Sequence, residues 1–207
     1  MAGDAAEKRQ KYAALAMKKL EQDPLNAKTY YELGIQYKEL GELSAAEVML
    51  QKAVERDGSS LTPVLNLALV LQKQGKLDKA EEHYGTVLSK DGKNPEALFG
   101  MGFCAFRRNE LEKAEGYFRG AVQVNPHFLD AWVNLGGVQE KQGKFPEALE
   151  TYKKALPLHP GHGRTYYNMG VVHEKMLNLG LALKCYEKAM ELGYRKEELR
   201  EKMGKLR

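Results

Sequence analysis

The sequence predicts an all-α solenoid, a stack of helix hairpins, on the strength of three observations. Gly34, Ala68, Gly102, Gly136 and Gly170 recur every 34 residues. Ala46, Ala80, Ala114, Ala148 and Ala182 repeat that period 12 residues later. Between these marks apolar residues recur at helical spacing in two stretches of about 13 residues per unit, each bounded by turn formers, and no window alternates like a strand. Five units in register are the signature of a helical repeat array, in which each unit buries its apolar surface against neighbours because it cannot bury it alone.

The elements follow in order. Residues 4–22 read as a helix within an N-terminal segment 1–26, with Tyr12, Leu15, Ala16 and Leu20 on one face and Ala13 and Met17 extending it sideways. Pro24 shares its register with Pro126 and Pro160, so this helix stands where the second helix of an earlier repeat would lie, without a first helix before it. Two roles fit: a cap resting on repeat one, or a helix that docks into a neighbouring molecule through Tyr12, Leu15, Met17 and Leu20, a head-to-tail contact that builds rings or larger assemblies. Repeats one and two occupy 27–94, turning their hairpins at Gly41 and Gly75 and ending in Asp57-Gly58 and Asp91-Gly92. Repeats three to five occupy 95–194, turning at Asn109 and Gly143, residues that tolerate positive φ, and at Leu177, which does not. Pro95 and Pro146 begin helices, where no backbone donor is wasted, and Pro126 and Pro160 close repeats three and four. In 195–207, Leu199, Met203 and Leu206 face one way among charged residues, the pattern of a solvating C-terminal cap. Gly92 and Asn94 permit backbone angles that other residues resist, so 89–95 is the expected hinge.

Composition narrows the function. Of 207 residues 29% are charged and 43% hydrophobic, and the net charge of +4 is spread over interleaved basic and acidic residues, which points to neither nucleic acid nor a membrane surface. The longest uncharged apolar stretch, 97–106, is too short to span a bilayer, and residues 1–11 lack the apolar run of a signal peptide; the chain reads as cytoplasmic, with no transmembrane segment. Cys104 and Cys185 are too few for a disulfide framework and are expected as free, largely buried thiols.

Motifs of chemistry are missing. The chain has no glycine-rich phosphate loop, no Cys-x-x-Cys, no nucleophile elbow and no His-Glu-x-x-His. His159 and His162 flank a Pro-Gly turn and His127 lies in the equivalent turn one repeat earlier, but a metal would need them convergent with further ligands, and polar turn residues are the simpler reading. His173 stands at a packed position and is expected as a satisfied core histidine. The chain therefore reads as a non-enzyme without cofactor or metal.

A finer pattern overlies the period. Tyr30, Val64, Leu98, Trp132 and Tyr166 stand four before the small residue, and Leu33, Leu67, Met101, Leu135 and Met169 one before it. Leu50, Tyr84, Phe118, Tyr152 and Tyr186 stand four after the recurring alanine, and Ala53, Val87, Ala121, Ala155 and Ala189 three later. Over residues 27–194 this resembles the tetratricopeptide repeat (TPR) family. The resemblance implies a right-handed α-α solenoid of five TPR hairpins with N- and C-terminal capping helices, whose first helices line a concave groove. The residues it places there are Tyr31, Leu65, Phe99, Val133 and Tyr167, then one turn on Ile35, Leu69, Phe103, Gly137 and Val171, with Phe106 added in repeat three. This stripe either receives an apolar segment or amphipathic helix, or completes packing between repeats. Asn66, Asn134 and Asn168 share one position, where an amide serves a ligand backbone or its own helix. Around them Lys28, Lys38, Lys73, Arg107, Lys141, Arg164 and Lys175 outnumber Glu39, Glu96, Asp130, Glu140 and Glu174, a slight tilt toward acidic ligands. The carboxylate clamp of chaperone-binding TPR domains is not expected, because its places hold Tyr31, Ile35, Asn66, Glu96 and Gly100 and only the Asn matches. The implied function is a protein-interaction scaffold for a peptide or helix. Five repeats with an orphan N-terminal helix also resemble self-assembling TPR scaffolds on the cytoplasmic face of a bacterial organelle membrane, a homo-oligomeric alternative. A regulatory or adaptor subunit of a larger enzyme complex is the third.

Overall fold

The computed structural model describes the backbone of residues 2–206 and the side chains of residues 7, 11 and 14–206. Among these residues the chain forms twelve α-helices and no strand, an all-α solenoid of hairpins. Helix α1 (Ala2–Gln22) precedes the pairs α2 (Ala27–Leu40) with α3 (Leu43–Arg56), α4 (Leu61–Lys73) with α5 (Leu77–Lys90), and α6 (Pro95–Arg107) with α7 (Leu111–Val124). Then follow α8 (Leu129–Lys141) with α9 (Phe145–Ala155), α10 (Gly163–Lys175) with α11 (Leu179–Glu191), and α12 (Lys196–Leu206). The chain divides into two compact units, Met1–Cys104 and Ala105–Arg207, the boundary falling inside α6. First helices lie beside one another as well as against their partners, α2 by α4 in the first unit and α8 by α10 in the second.

Two recurrent turns explain why the helices stop where they do. Inside each hairpin one residue turns left-handed: Gly41 (φ 84°), Gly75 (φ 80°), Asn109 (φ 60°), Gly143 (φ 76°) and also Leu177 (φ 61°). Its successor closes a six-residue loop onto the helix, as in Glu42 N–H to Tyr37 O at 2.9 Å and Asn178 N–H to His173 O at 2.9 Å. Leu177 therefore adopts its sisters' turn although a side chain there costs about 1 kcal/mol. Between repeats the break is made by a side chain. Asp23, Asp57, Asp91 and Asn125 share one register, and each Oδ1 accepts from the N–H two residues on, at 3.3, 3.1, 3.3 and 3.1 Å. Gly58 and Gly92 keep negative or extended φ, so these breaks do not use glycine's freedom. At 89–95 the turn is also tied by Asn94, which donates to Asp91 and caps α6 through Ala97 N–H at 3.0 Å.

In the first unit the helices of a hairpin cross at small residues. A Cβ added to Gly34 would lie 2.6 Å from Leu50 Cγ of the same hairpin, and one on Gly100 of α6 would lie 2.2 Å from Tyr84 Cζ of α5, so successive hairpins also meet at a small residue. Leu50, Leu67, Leu71, Ala80, Tyr84 and Cys104 close this core. Helix α1 rests on it through Ala16 and Leu20, which meet Leu33, Tyr37 and Met49. The expected single face of α1 is divided, because Ala16 and Leu20 are one turn apart while Leu15 and Met17 lie about 100° to either side, 55% and 46% exposed. The side chains of Tyr12 and Ala13 lie outside the described residues.

In the second unit Gly136 and Gly170 receive the rings of Tyr152 and Tyr186, each 2.5 Å from an added Cβ. Ala114, Ala148 and Ala182 are wholly buried. Leu199 and Met203 of α12 seal the last hairpin against Tyr186 and Ala189. Cys185 is half-buried rather than enclosed, because it sits toward the flank of α11. His173 departs from the expected satisfied core histidine, since its buried Nδ1 has no hydrogen-bond partner.

Candidate functional site

With the cores closed, the first helices keep apolar side chains that are neither buried nor fully exposed. In the first unit these are Tyr31 and Ile35 on α2, Leu65 and Leu69 on α4, and Phe99 and Phe103 on α6, and Tyr31, Ile35 and Leu65 rest one edge on the core. In the second they are Phe106, Tyr167 and Val171. Val133, expected in the same stripe, is wholly buried, and Gly137 presents no side chain, so the stripe is interrupted on α8. Val133 shares the repeat position of Tyr31 and Tyr167, but its short side chain is enclosed in the core cluster with Tyr152 and Met169.

The asparagines divide their bonding. Asn66 donates Nδ2–H to Thr62 O at 3.0 Å and Asn134 does the same to Asp130 O at 2.7 Å, one turn back in each helix. That satisfies one donor each. Asn66 Oδ1 also accepts from Lys38 Nζ at 2.8 Å, and Tyr31 Oη lies 3.5 Å from Asn66 Nδ2. Burial pushes the Lys38 ammonium below its usual range and Lys73 pushes it further down, while Glu39 opposes both. A cavity of about 300 Å³ opens beside this cluster, lined by Lys28, Tyr31, Asp57, Ser60, Thr62 and Pro63.

On the second unit's first helices several charged side chains have partners, one of them on α12. Lys175 Nζ reaches Glu140 at 2.9 Å, Lys202 Nζ reaches Glu174 at 2.9 Å, and Lys141 Nζ sits 4.4 Å over the Phe106 ring. Arg195 stacks over Tyr167 at 5.1 Å and Tyr194 at 5.6 Å. Tyr186 donates to Glu174, whereas the enclosed Tyr152 hydroxyl has no partner in full hydrogen-bond geometry; Asn168 and Glu140 stand near it, and its ionisation is pushed up by burial and by Glu140. The histidines do not converge. His162 Nδ1 lies 2.7 Å from Thr165 Oγ1, the His159 ring stands edge-on 5.9 Å away, and among the described residues no three of His, Cys, Asp or Glu gather as metal ligands.

Reading the sequence alone missed three features. Gly100, which receives the Tyr84 ring, lies off the main period and carries no signal there. Arg195, stacked on Tyr167, lies beyond the last repeat. The ties Lys76–Glu47 at 2.6 Å and Lys144–Glu115 at 2.7 Å were missed although a signal existed, because the same 29-residue spacing of Glu and Lys recurs two periods later.

Models of the tetratricopeptide repeat match the chain over residues 27–60, 65–127 and 127–195. No curated protein matches it. Among solved structures it is similar to MamA, with 24% identity over 83% of this chain and 94% of that one and a TM-score of 0.69. It is similar to YrrB, described as a TPR protein with an unusual peptide-binding site, with 23% identity over 87% and 93% and a TM-score of 0.66. A chain of the APC/C hetero-tetramer Cut9-Hcn1 aligns at 17% identity over 97% of this chain and 40% of that one, with a TM-score of 0.83. Likeness at these identities bears on the fold.

Proposed function

Because the chain belongs to the tetratricopeptide repeat family, a family of protein-interaction scaffolds, we propose that it binds an extended peptide or an amphipathic helix along its first helices. The observation that carries this reading is the row of half-exposed apolar side chains left after each core is closed: Tyr31, Ile35, Leu65, Leu69, Phe99 and Phe103, then Phe106, Tyr167 and Val171. Asn66, Asn134 and Asn168 supply amide groups beside it. The surplus of lysine in the first unit favours acidic ligands. Nothing in the chain's chemistry calls for catalysis, and the role is that of a non-enzymatic scaffold. Selection from a display library of random 12-residue peptides tests it. Phe103→Ala should weaken capture of the selected peptides while leaving the melting temperature nearly unchanged, whereas Phe118→Ala, at a wholly buried site, should cost about 3–5 kcal/mol of stability. Equal losses of stability in both variants would assign the row to the core and sink the proposal.

A second reading has its own observation. Leu15 and Met17 are exposed on opposite flanks of α1, so this helix offers apolar side chains to another copy. In this reading the protein reaches a membrane only through its partners, and no helix among the described residues is long and apolar enough to cross one. Sedimentation of Leu15→Glu/Met17→Glu against the parent decides it. Dissociation supports docking of α1, and identical profiles at every concentration leave α1 as a cap.

A further inference from the structure

Among the described residues two lysines are partly buried, Lys38 and Lys202, and they differ in their partners. Lys202 of α12 has Glu174 at 2.9 Å, but Lys38 is half-buried and its hydrogen bond goes to a neutral amide, Asn66 Oδ1. An ammonium has three donors and a full charge, so a neutral acceptor leaves most of its demand unmet. Lys73, on the next first helix, adds a like charge, which the neighbouring Glu39 offsets in part. A positive charge held partly out of water on a neutral acceptor, with a second cation near it, is stabilised by an anion from outside.

We propose that Lys38 and Lys73, with Asn66 and Tyr31 between α2 and α4, form a subsite for an acidic side chain of a bound peptide. The inference rests on the peptide-binding reading above and adds the ligand's chemistry. Lys38 Nζ and Tyr31 Oη border the two ends of the Asn66 amide, at 2.8 and 3.5 Å. The amide is itself fixed by its bond to Thr62 O at 3.0 Å, so the donors that would meet a carboxylate are held before it arrives. The half-exposed Ile35 and Leu69 give the flanking residues of the ligand an apolar bed. This differs from capture of a chain-terminal carboxylate, since it needs only a Glu or Asp within the peptide.

The test uses two fluorescein-labelled 12-residue peptides, acetylated and amidated at their ends. One alternates Leu with Glu, and the other replaces every Glu by Gln. Fluorescence anisotropy with the full chain should give the Glu peptide at least about tenfold tighter binding, the scale of one charge-assisted hydrogen bond. Lys38→Met keeps the methylene stem and should abolish that difference with an unchanged melting temperature. Lys38→Arg should retain most of it, and Lys73→Met should reduce it in a salt-sensitive way. Equal affinity for the two peptides, or a preference that survives Lys38→Met, overturns the subsite while the peptide-binding reading stands. Binding of neither peptide counts against both.

Discussion

Tyr152→Phe removes one oxygen from the interior of the second unit, and the geometry around its sisters sets what that oxygen is worth. Tyr84 donates its hydroxyl to Gln72 Oε1 at 2.7 Å, and Tyr186 donates to Glu174; in both cases the acceptor stands 12 residues earlier. The same place before Tyr152 is Glu140, but Lys175 pairs with that carboxylate at 2.9 Å, and the enclosed Tyr152 hydroxyl has Glu140 and Asn168 near it without either in full hydrogen-bond geometry. A made hydrogen bond contributes about 1 kcal/mol net, whereas an unmade buried one costs about 1–3 kcal/mol. Tyr84→Phe should therefore destabilise by about 1 kcal/mol. Tyr152→Phe keeps the ring against Gly136 and should be neutral or stabilising by up to about 1 kcal/mol. In a chain of this length 1 kcal/mol moves the melting temperature by roughly 2–4 °C. Thermal melts followed by far-UV circular dichroism resolve such shifts. A second variant fixes the cause: Lys175→Met releases Glu140, and in that background Tyr152→Phe should become destabilising. If Tyr152→Phe alone lowers melting as much as Tyr84→Phe, the hydroxyl is bonded and the reasoning fails.

Two further outcomes are expected. Leu177 is 82% exposed and turns left-handed at φ 61°, so Leu177→Asn, matching Asn109 in repeat three, should stabilise by roughly 0.5–1 kcal/mol in urea titrations; a loss would mean that the Leu side chain packs. Burial pushes the Glu115 carboxyl up, but hydrogen bonds from Lys144 and Arg119 outweigh it and hold it at about 2, below its ordinary value of 4.5. Its contribution is thus fully present above the ordinary value and is lost as pH falls through about 2, so the parent should lose more stability than Glu115→Gln between about pH 5 and pH 2. Parallel urea midpoints for the two proteins over that range would refute this.

What the sequence made legible follows from which positions geometry leaves without choice. Two helices can cross closely only at small residues, so Gly34, Ala46, Gly136 and Ala148 mark the fold whatever surrounds them. The turn at 177 was not legible from its Leu, because the closing bonds of the hairpin over-determine the backbone and outweigh the residue's preference. The glycines at 58 and 92 suggested breaks made by backbone freedom, while the break comes from the carboxylates of Asp57 and Asp91 one residue earlier. The division of α1's apolar face could not be read either, since Leu15 and Ala16 are equally apolar and only the contact with Leu33 and Met49 selects between them.

The candidate site was legible to a different degree, and the reason bears on recognition. Three residues beyond the apolar stripe the first helices carry Lys38, Gln72, Phe106, Glu140 and Glu174, five places with a positive, a neutral, an aromatic and two negative side chains. The crossing positions never vary in this way, because any large residue there would force the hairpin apart. The face of the first helices is free of that demand, so its residues can differ without changing the fold, and long polar side chains there choose partners that spacing does not dictate. Lys175 takes Glu140 from Tyr152, and Lys38 settles for an amide. Positions that keep the 34-residue period therefore report how the chain folds, and departures from it on the exposed face report what each repeat can bind.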